Sequence, residues 1–152
     1  MQVGCARTPA APAASYLPAS VVEAGGPGLP TRGYLVSGQP NASALSAIAA
    51  AGYAGVIDLR TPEEPRGFDE SGTAASLGLR YAPFPVAGAE GISFANAARF
   101  DALLAEFDGP VLLHCGTGNR VGALFALRAK AAGLSDADAL DVGRAAGMTS
   151  LE

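Results

Sequence analysis

Histidine occurs once in this chain and cysteine twice, and only 16% of the 152 residues are charged. His114, Cys5 and Cys115 form no ligand cluster of the usual spacing, so no metal is expected. Cys5 falls in an Ala/Pro/Gly-rich stretch, which gives a bridge to Cys115 little geometric support and argues against a disulfide scaffold. The formal charge is −4 and no Lys/Arg cluster stands out, which leaves no electrostatic footprint for nucleic acid. No apolar run approaches the roughly 20 residues that span a bilayer.

What is present is a globular pattern, with 49% apolar residues and a length suited to one packed domain. Residues 1–30 read as a tail or linker with a short edge strand around Ser20 to Glu23, and residues 31–152 as an α/β domain. Val3-Gly4-Cys5 resembles the end of a lipoprotein signal, but the apolar segment that export requires does not precede it. As written, the chain is expected in the cytoplasm. A periplasmic lipoprotein anchored at Cys5 is the alternative if an upstream segment is missing.

Strand and helix signals alternate from Tyr34 onward. Tyr34–Ser37 is a first strand, and Asn41 caps a helix with Leu45, Ile48 and Ala49 on one face. Tyr53–Arg60 is a second strand, followed by a polar loop from Thr61 to Glu70 and a short helix over Ser71–Leu77. Leu79–Val86 is a third strand that Pro83 and Pro85 should end early or place near an edge. A helix capped by Ser93 runs to about Phe107 with a Phe100, Leu103, Leu104, Phe107 stripe. Val111–His114 is the fourth strand, Val121–Ala132 a buried helix, and Ser135 with Asp138 opens a last helix to about Ala146. This order predicts a three-layer fold: a mainly parallel four- to five-stranded sheet with helices on both faces. In such a sheet, a ligand site forms beyond the carboxyl ends of the strands. Ser37 to Gln39, Asp58 to Arg60, Val86 to Gly91 and Cys115 to Arg120 should meet there.

The last of these segments carries the clearest chemistry. Cys115 closes a strand, Gly116-Thr117-Gly118-Asn119 form a Gly-rich turn, and Arg120 stands where a helix begins. Backbone amides, the helix N-terminus and the guanidinium all favour an anion in the turn, and all stabilise a thiolate. An inert buried thiol would not explain a Gly-rich turn and an arginine placed together.

His114-Cys115-Gly116-Thr117-Gly118-Asn119-Arg120 resembles the phosphate-binding loop of cysteine-dependent tyrosine and dual-specificity phosphatases. It is most similar to the phosphatase-like domain of the beta-lactamase-hydrolase-like family. Tyr34–Pro40, Gly52–Arg60 and Gly143–Met148 resemble that domain's two early strand motifs and its terminal helix. The resemblance implies Cys115 as nucleophile and Arg120 as clamp on the phosphoryl oxygens. It further implies a cradle of the Gly116 to Arg120 amides, His114 as the loop's orienting side chain, a phosphomonoester substrate and no cofactor. Gln39 and Arg60 are further substrate-binding candidates, with Ser37 beside them on the strand-end argument.

This chain departs from the pattern in three ways. Four residues, not five, separate Cys115 from Arg120; Val121 replaces the usual Ser or Thr; and Pro85-Val86-Ala87 lacks the usual aspartate acid. Glu90 is the one carboxylate of that loop and the candidate general acid. The short gap is also the loop length of rhodaneses, whose cysteine carries persulfide sulfur, and Asp58-Leu59-Arg60-Thr61-Pro62-Glu63-Glu64 is similar to a rhodanese run. His114 and the Ser37–Pro40 motif favour the phosphatase reading. A module that binds phosphate without turning it over is the non-enzymatic alternative.

Overall fold

A computed structural model describes residues 19–26 and 29–150, with side chains from Tyr34 onward. Five strands form one sheet: β1 (Ala19–Gly26), β2 (Leu29–Ser37), β3 (Gly55–Asp58), β4 (Arg80–Pro83) and β5 (Val111–His114). Their order is β1-β2-β5-β3-β4. β1 runs antiparallel to β2, and the remaining pairs are parallel. The mainly parallel α/β fold is therefore as expected. β1 covers the edge strand foreseen around Ser20 to Glu23, so the sheet reaches into the segment read as a tail. Cys5 lies outside the described residues.

The strands are apolar on both faces because helices cover both. Tyr34, Val36, Ile57, Val111 and Leu113 point into one core cluster, which takes in Phe100 and Leu104 from α3 (Phe94–Leu104) and Leu124 and Phe125 from α4 (Asn119–Ala131). The alternate residues Leu35, Val56 and Leu112 point the other way. They meet Leu45 and Ile48 of α1 (Ala42–Ala50) and Ala74 of α2 (Glu70–Ser76). Four of the five α-helices among the described residues start on a side-chain cap, and α4, which follows Gly118, does not. Asn41, Asp69 and Ser93 accept amide hydrogens at α1, α2 and α3, and Ser135 accepts that of Asp138 at α5 (Asp136–Ala145).

Two boundaries differ from expectation. The third strand is β4, Arg80–Pro83, at the edge of the sheet, where proline is tolerated; hydrogen bonds to the β3 segment run on past it, from Phe84 N to Asp58 O at 2.8 Å and from Val86 N to Leu59 O at 3.0 Å. α4 begins at Asn119 rather than Val121, so Arg120 belongs to its first turn. Among the described residues, no helix is long and apolar enough to cross a membrane.

α4 and α5 cross at Gly122 and Gly143. A Cβ at Gly122 would stand 2.3 Å from the Met148 amide nitrogen and 2.6 Å from the Gly143 carbonyl oxygen. Both are backbone atoms, so the helices must part. Gly122→Ala is expected to lower unfolding free energy by about 1–3 kcal/mol in urea titrations, the usual range for overpacking. An unchanged midpoint would show that the crossing is loose.

Candidate functional site

β2, β5, β3 and β4 all end on the same side, and the loops that follow them meet there. The ladder continues past the strands: Leu59 N donates to His114 O at 2.8 Å, and Cys115 N donates to Ser37 O at 3.4 Å. These bonds fix where the chain leaves β5. The turn then tightens at Gly118, whose φ of +91° suits glycine and few other residues. The neighbouring loop approaches so closely that a Cβ at Gly38 would lie 2.7 Å from Gly116 O.

Inside the turn, Gly118 N donates to Cys115 Sγ at 3.0 Å. Cys115 is buried and unbridged. Among the described residues, the amides of Gly116, Thr117, Asn119 and Arg120 donate to no protein acceptor. They sit at the N-terminus of a 13-residue helix, whose dipole adds positive potential there. The loop thus carries unclaimed backbone donors next to a sulfur at a helix N-terminus, an arrangement chemically suited to an oxyanion.

Arg120 closes one side. Its Nη1 donates to Glu64 Oε2 at 2.8 Å and to Val86 O at 2.9 Å, and its Nη2 donates to Glu64 Oε1 at 2.7 Å. The Arg120 hydrogen bonds hold the Glu64 carboxyl at about 2, well below its ordinary 4.5, against a smaller opposing effect of burial. The same pairing raises the Arg120 guanidinium further above its ordinary value.

Behind the loop lies a buried polar network. His114 Nε2 is 2.9 Å from Glu70 Oε2, its Nδ1 is 3.4 Å from Cys115 O, and Asp58 Oδ1 is 3.7 Å from Nε2. Glu70 Oε1 accepts from Gln39 Nε2 at 2.8 Å, and Gln39 Oε1 accepts from Arg60 Nη1 at 3.0 Å. Burial alone would raise the Asp58 carboxyl. The Arg66 hydrogen bond, the His114 charge, Tyr81 and the Arg60 amide outweigh it and hold Asp58 below its ordinary range. Asp58, Glu70 and His114 bring three possible ligand atoms within 4.8 Å, a grouping that spacing alone did not reveal. Each is already bonded within the protein, so a cation there would have to displace Arg66, Gln39 or the His114–Glu70 bond.

Cys115 and Arg120 flank the turn, with Arg120 Nη2 3.6 Å from where a Cβ at Gly116 would stand, and His114 lies behind it against Glu70. Gln39 and Arg60 stand one layer back, tied to Glu70 and Glu64. Asn119 uses its side chain elsewhere: Oδ1 accepts the Thr149 and Ser150 amides, and Nδ2 donates to Ser150 Oγ. Only its backbone amide serves the loop. Thr117 is exposed at the mouth, and Ser37 Oγ turns to Gly38 O. Glu90 lies on an exposed 3-10 turn, Gly88–Gly91, with no hydrogen bond or ion pair among the described residues. Sequence reasoning missed the Glu64–Arg120 and Glu70–His114 pairs, which join residues 56 and 44 positions apart. The acidic run before Glu64 was visible, but its partner was not.

A parallel sheet that delivers a Cys-x4-Arg turn from its central strand places the chain in the cysteine-phosphatase fold class. The structure of kinase associated phosphatase, with its catalytic cysteine changed to serine, superposes with a TM-score of 0.68 at 10% identity, covering 91% of this chain and 90% of that one. A candidate phosphatase from Neisseria meningitidis gives 0.64 at 23% identity over 74% and 82% of the two chains. TpbA of P. aeruginosa, bound to phosphotyrosine, gives 0.53 at 20% identity over 76% and 70%.

In sequence the chain matches beta-lactamase hydrolase-like proteins. That of Xylella fastidiosa (strain Temecula1) is 34% identical over 123 residues, covering 72% of this chain. That of Agrobacterium fabrum is 31% identical over 96 residues, covering 60% of this chain. These matches bear out the family resemblance read from the motifs. The chain spans only 28% and 22% of those relatives' lengths. No family model matches it.

The Glu64 carboxyl predicts a pH effect. Because its folded value lies below its unfolded one, its contribution is complete above about pH 4.5 and fades as pH falls toward 2. Acid unfolding of Glu64→Gln should therefore lose part of the parent's steepness between those values. Coincident acid transitions would show that the pair adds nothing.

Proposed function

We propose that this domain is a cysteine-dependent phosphatase that hydrolyses phosphomonoesters, phosphotyrosine-like ones among them, through a phosphocysteine at Cys115. One observation carries the reading: a sulfur that accepts the Gly118 amide, in a turn whose other four amides have no acceptor among the described residues and which ends on an arginine. Cys115 Sγ attacks phosphorus as the ester oxygen leaves. The amides of Gly116 to Arg120 and the Arg120 guanidinium bind the phosphoryl oxygens, whose charge they hold in the transition state. His114, fixed by Glu70, orients the Cys115 carbonyl and hence the loop. Water then attacks phosphorus, releasing phosphate and the thiolate.

The leaving oxygen takes its proton from Glu90, the carboxylate on the loop beyond β4. Val121 is fully buried and has no hydroxyl to assist the departing thiolate, which supports slow breakdown of the phosphocysteine. We assign the group esterified to phosphate to a cleft of about 290 Å³ on the β3–α2 connection, linked to the site through Arg60, which pairs with Glu64, and lined also by Arg66, Phe68, Glu70, Tyr81 and Pro83. Rings and prolines there suit an apolar or aromatic group. The phosphotyrosine bound in the TpbA structure supports the same substrate class.

Purified protein should release p-nitrophenol from p-nitrophenyl phosphate, and Cys115→Ser should abolish the release. Turnover of thiosulfate with cyanide, and not of the ester, would instead indicate a sulfurtransferase. Retention of phosphate binding with no turnover in the parent would indicate a binding module. Glu90→Gln should cost roughly 100-fold in kcat with an alkyl phosphate, whose leaving group needs a proton, and little with p-nitrophenyl phosphate. Equal effects on both esters would remove Glu90 from the acid role.

A further inference from the structure

Among the described residues, Arg60 Nε is the one buried side-chain nitrogen or oxygen with no hydrogen-bond partner. A guanidinium has five N–H hydrogens in a plane. Only 14% of the Arg60 side chain is exposed, yet it donates once, from Nη1 to Gln39 Oε1 at 3.0 Å. Glu64 Oε1 stands 3.4 Å from Nε, and that carboxylate is already held by Arg120 and by the Thr61 amide. Nη2 also has no acceptor, but unlike Nε it is not closed off. Arg66, on the same connection, donates four times: to Asp58 and to the carbonyls of Thr61, Glu64 and Arg60. Arg60 is thus a largely buried cation that calls for an acceptor the chain does not supply.

Arg60 lines the cleft on the β3–α2 connection, where the other charges are committed. Glu70 is bonded to His114 and Gln39, Asp69 to the Gly72 amide and the Ser71 hydroxyl, and Arg66 to its four acceptors. The least committed charge of the cleft is therefore positive. Phe68, the Tyr81 ring and Pro83 border it, and an apolar border strengthens a hydrogen bond made inside. Arg60 Nε and Arg120 Nη2 both face Glu64 Oε1, at 3.4 and 2.7 Å. Two guanidiniums on one carboxylate oxygen can be spanned by one small molecule, with a phosphoryl group on Arg120 and a second group on Arg60. A neutral acceptor would meet a hydrogen of Arg60 but not its charge, whereas an oxyanion meets both.

We propose that Arg60 is a specificity-determining residue that binds, through Nη2, an oxyanion carried by the group esterified to phosphate. The substrate class is then a phosphomonoester with a second acidic function, a carboxylate or another phosphoryl group, set off by an apolar or aromatic body. Gln39 holds Nη1 and leaves Nη2 to the ligand. The proposal rests on the phosphatase reading for its place in the reaction, but the oxyanion subsite is a property of the cleft alone.

The test gives the full chain three aryl phosphates: the phosphate esters of para-hydroxyphenylacetic acid, of its neutral amide, and of para-hydroxybenzylphosphonic acid. A methylene insulates the phenol in each, so their leaving groups match. The parent should favour at least one acid over the amide by roughly 10- to 100-fold in kcat/KM, the worth of one hydrogen bond to a charged group. The larger preference tells carboxylate from phosphoryl. Arg60→Gln should bring both acid-to-amide ratios near one, and the ratio cancels any general loss transmitted through Glu64. Ratios near one in the parent, or a preference that outlasts Arg60→Gln, overturn the proposal. If the parent hydrolyses none of the esters, the phosphatase reading falls and the subsite is judged by binding. Free para-hydroxyphenylacetate, and not its amide, should then shift the Arg60 Nε–H NMR signal of the parent. No shift with the acid, or an equal shift with the amide, overturns the subsite. The same titration decides if Arg60→Gln does not fold, because it needs no variant.

Discussion

A carboxylate buried without solvent must be answered by the protein, and Asp58 is such a group, fully buried at the end of β3. It recruits Arg66, Tyr81, the Arg60 amide and the nearby His114. Removing one partner from such a buried pair typically costs about 3–5 kcal/mol, because the other charge is then stranded. The answer given to Asp58 shapes everything around the loop. Arg66 folds the β3–α2 connection back over the strand ends, and that connection presents Glu64 to Arg120 on one side and Glu70 to His114 on the other. The conformation of the site follows from satisfying one buried charge.

The turn between β5 and α4 is built on the same economy of space. Gly118 supplies the left-handed residue, Gly38 lets the β2 loop approach Gly116, and Gly122 lets α5 close against α4. The sulfur is consequently enclosed by main chain. With few side chains in the cradle, the proposed mechanism leaves specificity to the cleft beside Arg60, the exposed Thr117, and the turn that carries Glu90. In that mechanism these features choose the ester, while the loop acts only on the phosphoryl group.

The alternation of elements, their caps and the loop itself were legible in the amino-acid sequence because each is a local signal. Ser135 does accept the Asp138 amide, and Phe100, Leu104 and Phe107 do face the core. The place of β4 was legible too: Pro83 and Pro85 suit an edge strand, and β4 is one, with Phe84 N and Val86 N still donating to the β3 segment past the regular strand Arg80–Pro83. What stayed hidden were pairs made by tertiary closure. Glu63 and Glu64 are both candidates for Arg60 by spacing, and nothing local distinguishes the one that also meets Arg120. Likewise Asn119 reads as a loop residue facing ligand, whereas its side chain binds the turn after α5. Side chains of the site are committed by partners dozens of residues away, and a sequence shows the residue without the partner.

The central claim is that Cys115 bonds covalently to phosphorus. It is tested most directly by acid-quenching the protein during turnover of p-nitrophenyl phosphate and mapping the peptides by mass spectrometry. With Val121 in place of a hydroxyl residue, the account predicts that a phosphoryl adduct accumulates on the peptide carrying Cys115 and is absent from the Cys115→Ser protein. Hydrolysis of the ester with no adduct on that peptide at any quench time, and undiminished in Cys115→Ser, would contradict it.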